Sequence, residues 1–162
     1  MPVKTKKRPT TAHLRQMSAD ALETKRPLLR LAFQMAAEAA VTYARDEVNT
    51  YRDRTGNLRS SIGFIIAENG RSVAASSFEP ISASPNRPMA SSPYSPIPTG
   101  SDRGRQLAER IVMDNNDADL LGVLVAGMPY AYYVQNLHHL DVLAGASLIF
   151  ETELKTNLKA IR

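Results

Sequence analysis

Apolar residues recur at three- and four-residue spacing through the first third of the chain, then at two-residue spacing just beyond it. That change of period predicts a long helix followed by a strand. Leu28, Leu31, Ala32, Met35, Ala39 and Thr42 form one helical stripe, expected to be buried, in a helix over about 27–51. Pro27 fits its first turn, where a missing N–H costs nothing, and 18–25 is compatible with a short helix of its own. The rest of the long helix is largely Ala, with Arg30, Glu38, Arg45 and Asp46 among it. Such a face can approach another helix or subunit closely, although helix propensity alone also favours Ala. Arg52 and Arg54 fall in or just past the last turn, where cations complement the helix dipole, and Gly56 can close the helix in the left-handed conformation.

Beyond Gly56, Ile62, Phe64 and Ile66 alternate with Ser61, Gly63, Ile65 and Ala67, which predicts a strand. Asn69-Gly70 supplies the chemistry of a tight hairpin turn. The return strand, 71–78, is built from Ser, Ala and Val, too small to fill much core, so it reads as an edge or as close to a neighbouring chain. Pro80, Pro85, Pro88, Pro93, Pro96 and Pro98 are then scattered among serines, with Ile81, Met89, Tyr94 and Ile97 as anchors. A connection of this length without regular structure is usually functional or disordered, so 79–104 reads as a loop or arm. It either orders on a neighbour or forms a flexible surface insertion. A short helix is expected over 105–114, with Leu107, Ile111 and Val112 inward, and a turn at Asn115-Asn116-Asp117. The apolar run 120–126 reads as the central strand, covered on both faces. Pro129 breaks it, 130–137 forms a short strand or a single helical turn, and 146–161 is a closing helix with Leu148, Ile149, Thr152, Leu154 and Leu158 toward the core. The fold class is therefore α+β: a long N-terminal and a C-terminal helix packed on a small, mainly antiparallel sheet, with a Pro/Ser-rich insertion. Residues 1–17 read as a basic flexible tail and 18–162 as a single domain.

Composition narrows the chemistry. The 162 residues include no Cys and no Trp, which removes disulfide scaffolds, Cys-based zinc sites and dithiol redox motifs. The net charge of +4 comes partly from Lys4, Lys6, Lys7 and Arg8, whose plain reading is a solvated tail. No apolar segment follows that tail as a secretory signal requires. Arg30, Gln34 and Glu38 interrupt the most apolar helix, so the chain is read as soluble and without a membrane partner. His138, His139 and Asp141 lie close together, but adjacent histidines project in different directions and spaced ligands are missing, so loop or interface roles are expected rather than metal binding. Glu38, Asp46, Glu47, Glu151 and Glu153 have no matching His or Lys, and no nucleophile elbow or phosphate loop occurs. The reading is of a protein that is not an enzyme, with no cofactor and no metal. Arg52, Arg54, Arg59, Arg71, Arg103 and Arg105 are dispersed, which disfavours sequence-specific nucleic-acid recognition.

Two short phrases carry most of the remaining information: Thr55-Gly56-Asn57-Leu58-Arg59-Ser60-Ser61-Ile62 and Pro129-Tyr130-Ala131-Tyr132-Tyr133-Val134. The first resembles the T-G-x-L-R-x-S-I signature, and the second the Y-A-x-Y-V segment, of the small neck proteins of long-tailed bacteriophages, called head-tail joining or tail-completion proteins. The likeness spans 28–78 and 120–161 and includes the order of elements around the two phrases. Gln135 stands where many relatives carry Glu, and Asn136-Leu137 replaces the following Gly. The resemblance implies a structural virion subunit, assembled in the bacterial cytoplasm, that forms a ring with itself, commonly a homo-hexamer. The ring would join the head-closure connector to the tail tube, with a tail terminator as the nearest alternative. Non-specific contact with passing genomic DNA is compatible with that place, and a non-specific DNA-binding protein is the alternative of another class. Interface residues implied by the phrases are Gly56, Leu58, Arg59, Ile62, Tyr130, Tyr132 and Tyr133, with Tyr94 added from the arm. Leu58 and Ile62 are expected to pin the helix end onto the sheet. Arg59 is expected in an intersubunit salt bridge or on a backbone carbonyl, its plain alternative being an exposed charge. Of the three tyrosines, at least one is expected in the core.

Overall fold

Small side chains decide which face of the first helix lies inside. In the computed structural model, which describes residues 10–48, 51, 53, 55–80 and 99–161, helix α1 spans Thr11–Thr42 and ends in a π-helical turn, Tyr43–Glu47. Ala32, Ala36, Ala37, Ala40, Val41 and Ala44 are its buried residues. Leu28, Leu31 and Met35, expected inside, are exposed. Both stripes satisfy the helical period, and the Ala stripe wins because a short side chain lets helix α5 (Ala144–Ala160) and the sheet approach the α1 backbone. Phe33 and Phe150 meet edge-on with ring centroids 6.0 Å apart, and the Asn157 amide reaches the Ala32 carbonyl at 3.5 Å. In α5 the same inversion recurs: Ala146 is buried, while Leu148, Thr152 and Leu158 face solvent.

Strand β1 (Ile62–Glu68) is the centre of an antiparallel sheet of order β2-β1-β3, flanked by β2 (Arg71–Ala75) and β3 (Leu121–Ala126). The sequence reading put β3 in the middle; it lies at an edge, and of its residues only Val123 and Val125 are buried. β3 is covered on both faces as expected, Val123 and Val125 toward α3 and Leu124 and Ala126 toward α1, and β1, the central strand, is covered on both faces too. Ile62, Phe64 and Ile66 join Ala37, Ala40, Val41 and Ala44 of α1, with Val142 and Ala146. On the opposite face Ile65 and Ala67 meet Ala108 and Val112 of helix α3 (Gly100–Asp114), with Phe78. The Asn69-Gly70 turn closes the β1–β2 hairpin as its sequence predicts, Asn69 and Gly70 both taking positive φ. β2 is the edge strand expected, with most of its residues exposed.

Three boundaries move. Residues 11–17 and 18–25 are not tail and separate helix but the first turns of α1, with Pro27 inside it. The helix α3 begins at Gly100, inside the predicted arm, because Thr99 and Asp102 form a reciprocal capping box. The Thr99 hydroxyl and backbone also hold the Asp102 carboxyl below its usual range. Residues 1–9, the 81–98 part of the arm with Tyr94, and Arg52 and Arg54 lie outside the described residues.

One ion pair fastens the far end of β1 to α1. The Arg30 guanidinium donates Nε to Glu68 Oε1 at 2.8 Å and Nη2 to Oε2 at 2.6 Å, a fork-to-fork pair across 38 residues of sequence. This hydrogen bonding, with the Arg30 charge, depresses the Glu68 pKa from its ordinary 4.5. A carboxyl whose folded pKa is depressed stabilises above its unfolded pKa and loses that contribution as pH falls through the folded one. Glu68→Gln is therefore expected to lower the thermal midpoint at neutral pH, and the gap to the wild type is expected to close in acid. A gap that persists below the carboxylate range would assign the effect to packing.

Candidate functional site

The two phrases, separated by about seventy residues of sequence, meet in space through buried serines. Ser61 is fully buried; its carbonyl accepts from Gly127 N at 3.1 Å, and its hydroxyl donates to Leu58 O at 2.7 Å and accepts from Met128 N at 3.3 Å. The end of β3 and the Pro129-Tyr130 turn are thus held against helix α2 (Asn57–Ser60), and helix α4 (Ala131–Asn136) follows directly. Ser60 donates its hydroxyl to Gly56 O at 2.6 Å, closing α2 on itself. Gly56 takes φ +73, the left-handed conformation its sequence position anticipates, but as the cap that starts α2 rather than the one that ends α1.

A cap without a side chain leaves the first N–H groups of α2 in need of acceptors. The upstream loop supplies them. Asp53 accepts from Arg59 N at 2.7 Å, and the Thr55 hydroxyl accepts from Asn57 N at 3.3 Å. Leu58 and Ile62 are core residues that pin α2 to the sheet, as expected. Arg59 binds a backbone carbonyl of its own chain, donating Nη2 to Val48 O at 3.1 Å, with its guanidinium 5.9 Å from the Tyr51 ring centroid. It is half-buried rather than an exposed charge. Arg45 repeats the device nearby: its guanidinium reaches the Ile62 carbonyl, from Nε at 3.0 Å, and the Ser77 carbonyl at 3.2 Å. Burial lowers the Arg45 pKa, a cost offset by these carbonyls.

These elements form an open cavity of about 360 Å³, lined by Tyr51, Asp53, Thr55, Asn57 and Leu58 on one side and Tyr130 and Val134 on the other. Tyr51 is buried, yet its hydroxyl has no hydrogen-bond partner among the described residues. Burial pushes the Tyr51 pKa up; the Arg59 charge opposes the shift from an approach too loose to count as a formed hydrogen bond. Tyr130 is raised too, by burial first and then by the Asp53 charge. The cavity is therefore aromatic and aliphatic, with one carboxylate and a few hydroxyl and amide groups at its rim. Among its described lining residues, none pairs a nucleophile with a base.

Tyr51→Phe removes an orphaned hydroxyl and keeps the ring under Arg59. The variant is expected to be as stable as the wild type or more so, by up to about 1 kcal/mol in denaturant unfolding. A clear loss of stability would mean that the hydroxyl has a partner in the folded chain.

The remaining candidates divide cleanly. Tyr130, Tyr132 and Tyr133 are 38%, 68% and 56% exposed, so none is core. Tyr132 and Tyr133 stand edge-to-face at 5.9 Å on α4, with Leu137 exposed just after them. Asp141 is bound within the fold, accepting from Tyr43 Oη at 3.1 Å and from Gly145 N at 2.9 Å near the start of α5. No helix among the described residues is long and apolar enough to cross a membrane. Sequence reasoning missed Tyr51 and Asp53, which belong to neither phrase, and did not single out Val134, which closes the second one. Comparison with protein-family models, curated proteins and solved structures finds no match to this chain.

Proposed function

We propose that the chain is a structural subunit of the neck of a long-tailed bacteriophage, forming a ring that joins the head connector to the tail tube. The observation that carries this reading is the junction itself: the Thr55–Ile62 and Pro129–Val134 phrases, which resemble the neck family independently of each other, build one cavity and one exposed aromatic edge. An exposed Tyr pair beside an apolar Leu offers large contact area with little side-chain entropy to lose, the composition favoured at protein interfaces. The cavity beside it takes a protein side chain. Both are features of a subunit whose substrate is another protein surface.

Electron microscopy of particles made by the parent phage with this gene disrupted tests the reading. DNA-filled heads beside detached tails of normal length are the expected result. Tails of uncontrolled length would assign a terminator role instead, and intact infectious particles would overturn the neck assignment.

A further inference from the structure

Among the described residues the first half of α1 has no counterpart in its own subunit. Every described side chain from Thr11 to Lys25 is exposed, so about four turns of a helix roughly 48 Å long project beyond the sheet and α5. An isolated helix of that length is marginal in water. Along it, Met17, Ala21, Thr24, Leu28, Leu31 and Met35 follow one another at intervals of four, three, four, three and four. This is a strict heptad seam, with Ala21, Leu28 and Met35 in the a position and Met17, Thr24 and Leu31 in d. Its large members are 49–54% exposed: Met17 54%, Leu28 49%, Leu31 52% and Met35 50%. The seam stops at Glu38, the next d position, whose carboxylate accepts from Gln34.

We propose that α1 is a docking surface for α1 of a second copy of this chain, the two helices running parallel and in register. Charge selects the partner and its direction. In the flanking positions Asp20 is a g residue and Lys25 the e residue of the next heptad, so parallel, in-register helices set each Asp20 against Lys25 of the other copy. Among the described residues the Asp20 carboxylate accepts from the uncharged Gln16 of its own helix, at 3.0 Å, while the Asp20 carbonyl accepts from Thr24 at 2.9 Å. An antiparallel pair would place g against g and e against e; with Asp20, Pro27 and Gln34 in g and Ser18, Lys25 and Ala32 in e, no ion pair forms. The Pro-rich sequence of 80–98 contains no apolar heptad and matches the seam less well than the seam matches itself. The inference stands on α1 alone and is independent of the neck reading.

The absence of cysteine makes the test direct. Leu28→Cys places a thiol in the seam, and Glu23→Cys places one on an exposed c position of the same helix. Under mild oxidation of the full chain, the Leu28→Cys disulfide dimer is expected to form at least about tenfold faster than the Glu23→Cys dimer, since a-position residues of parallel helices face each other. Sedimentation of the wild type is expected to show a concentration-dependent dimer, lost in Leu31→Asp and weakened in Asp20→Lys. The double variant Asp20→Lys with Lys25→Asp is expected to restore it. Circular dichroism with unchanged thermal unfolding of the body separates loss of pairing from loss of fold. A wild type that stays monomeric at every concentration, or equal cross-linking from both positions, overturns the proposal. A dimer that Leu28→Cys fails to capture overturns it as well, by placing the contact elsewhere or reversing the helices. A monomer that pellets with anionic phospholipid vesicles would assign the seam to a lipid surface instead.

Discussion

Ile62→Ala is expected to cost about 2–5 kcal/mol of unfolding free energy, measured by denaturant titration. Ile62 is fully buried, begins the central strand, and packs where α1, α2 and β3 converge. Its carbonyl is also the acceptor for Arg45, so the cavity opens beneath a guanidinium that is already half withdrawn from water. The companion change Leu148→Ala is expected to alter stability by no more than about 0.5 kcal/mol, because Leu148 is an exposed residue of α5. Similar costs for the two would contradict the assignment of inside and outside given above.

Gly104→Ala is the second large effect expected, a loss of about 1–3 kcal/mol or more. A Cβ at this position would lie 2.4 Å from the Ser61 carbonyl oxygen and 3.0 Å from the Phe78 ring. Neither neighbour can withdraw easily. The Ser61 oxygen is committed to Gly127 N, and Gly127 itself sits against the Gly104 backbone. Parting α3 from this junction would loosen the contact between α2 and the Pro129-Tyr130 turn, so the variant is expected to open the cavity as well as to destabilise the fold. Thermal unfolding checks the first effect. The Tyr ultraviolet difference spectrum checks the second, free of interference because the chain has no Trp. An unchanged melting curve would show that α3 sits farther from α2 than described.

The elements were legible where local chemistry and tertiary contacts agree. The alternation from Ile62 to Ile66 and the Asn69-Gly70 turn each have one solution, and the fold adopts it; the small residues of β2 left an edge or a neighbouring chain open, and the strand lies at the edge. The capping box at Thr99 was also written in the chain, as a Thr with an acid three residues on, but the prolines before it drew the boundary too late. The inner face of α1 was not legible. Two stripes satisfied the same period, and choosing the bulkier one ignored the depth to which α5 can settle on Ala36, Ala40 and Ala44. The apolar run of β3 was misplaced for a related reason: an edge strand gains hydrophobic neighbours from the helices on either side of it, so its composition does not record its rank in the sheet. At the site, the phrases flagged Gly56, Leu58, Arg59 and Tyr130. Tyr51 and Asp53 reach the cavity only because the α2 cap has no side chain of its own and the preceding loop folds back to serve it.

Helix α1 carries two different stabilities on one continuous backbone. Amides between Ala36 and Ala44 sit beneath α5 and the sheet, so their hydrogens exchange with solvent only when the whole body opens. In the unpaired subunit, amides ahead of Arg26 are governed by the helix–coil equilibrium of their own turns and are expected to exchange orders of magnitude sooner. The gradient makes the helix its own gauge: any surface that comes to rest on the outer turns slows exchange there first, while the inner turns, already limited by global unfolding, barely register the arrival.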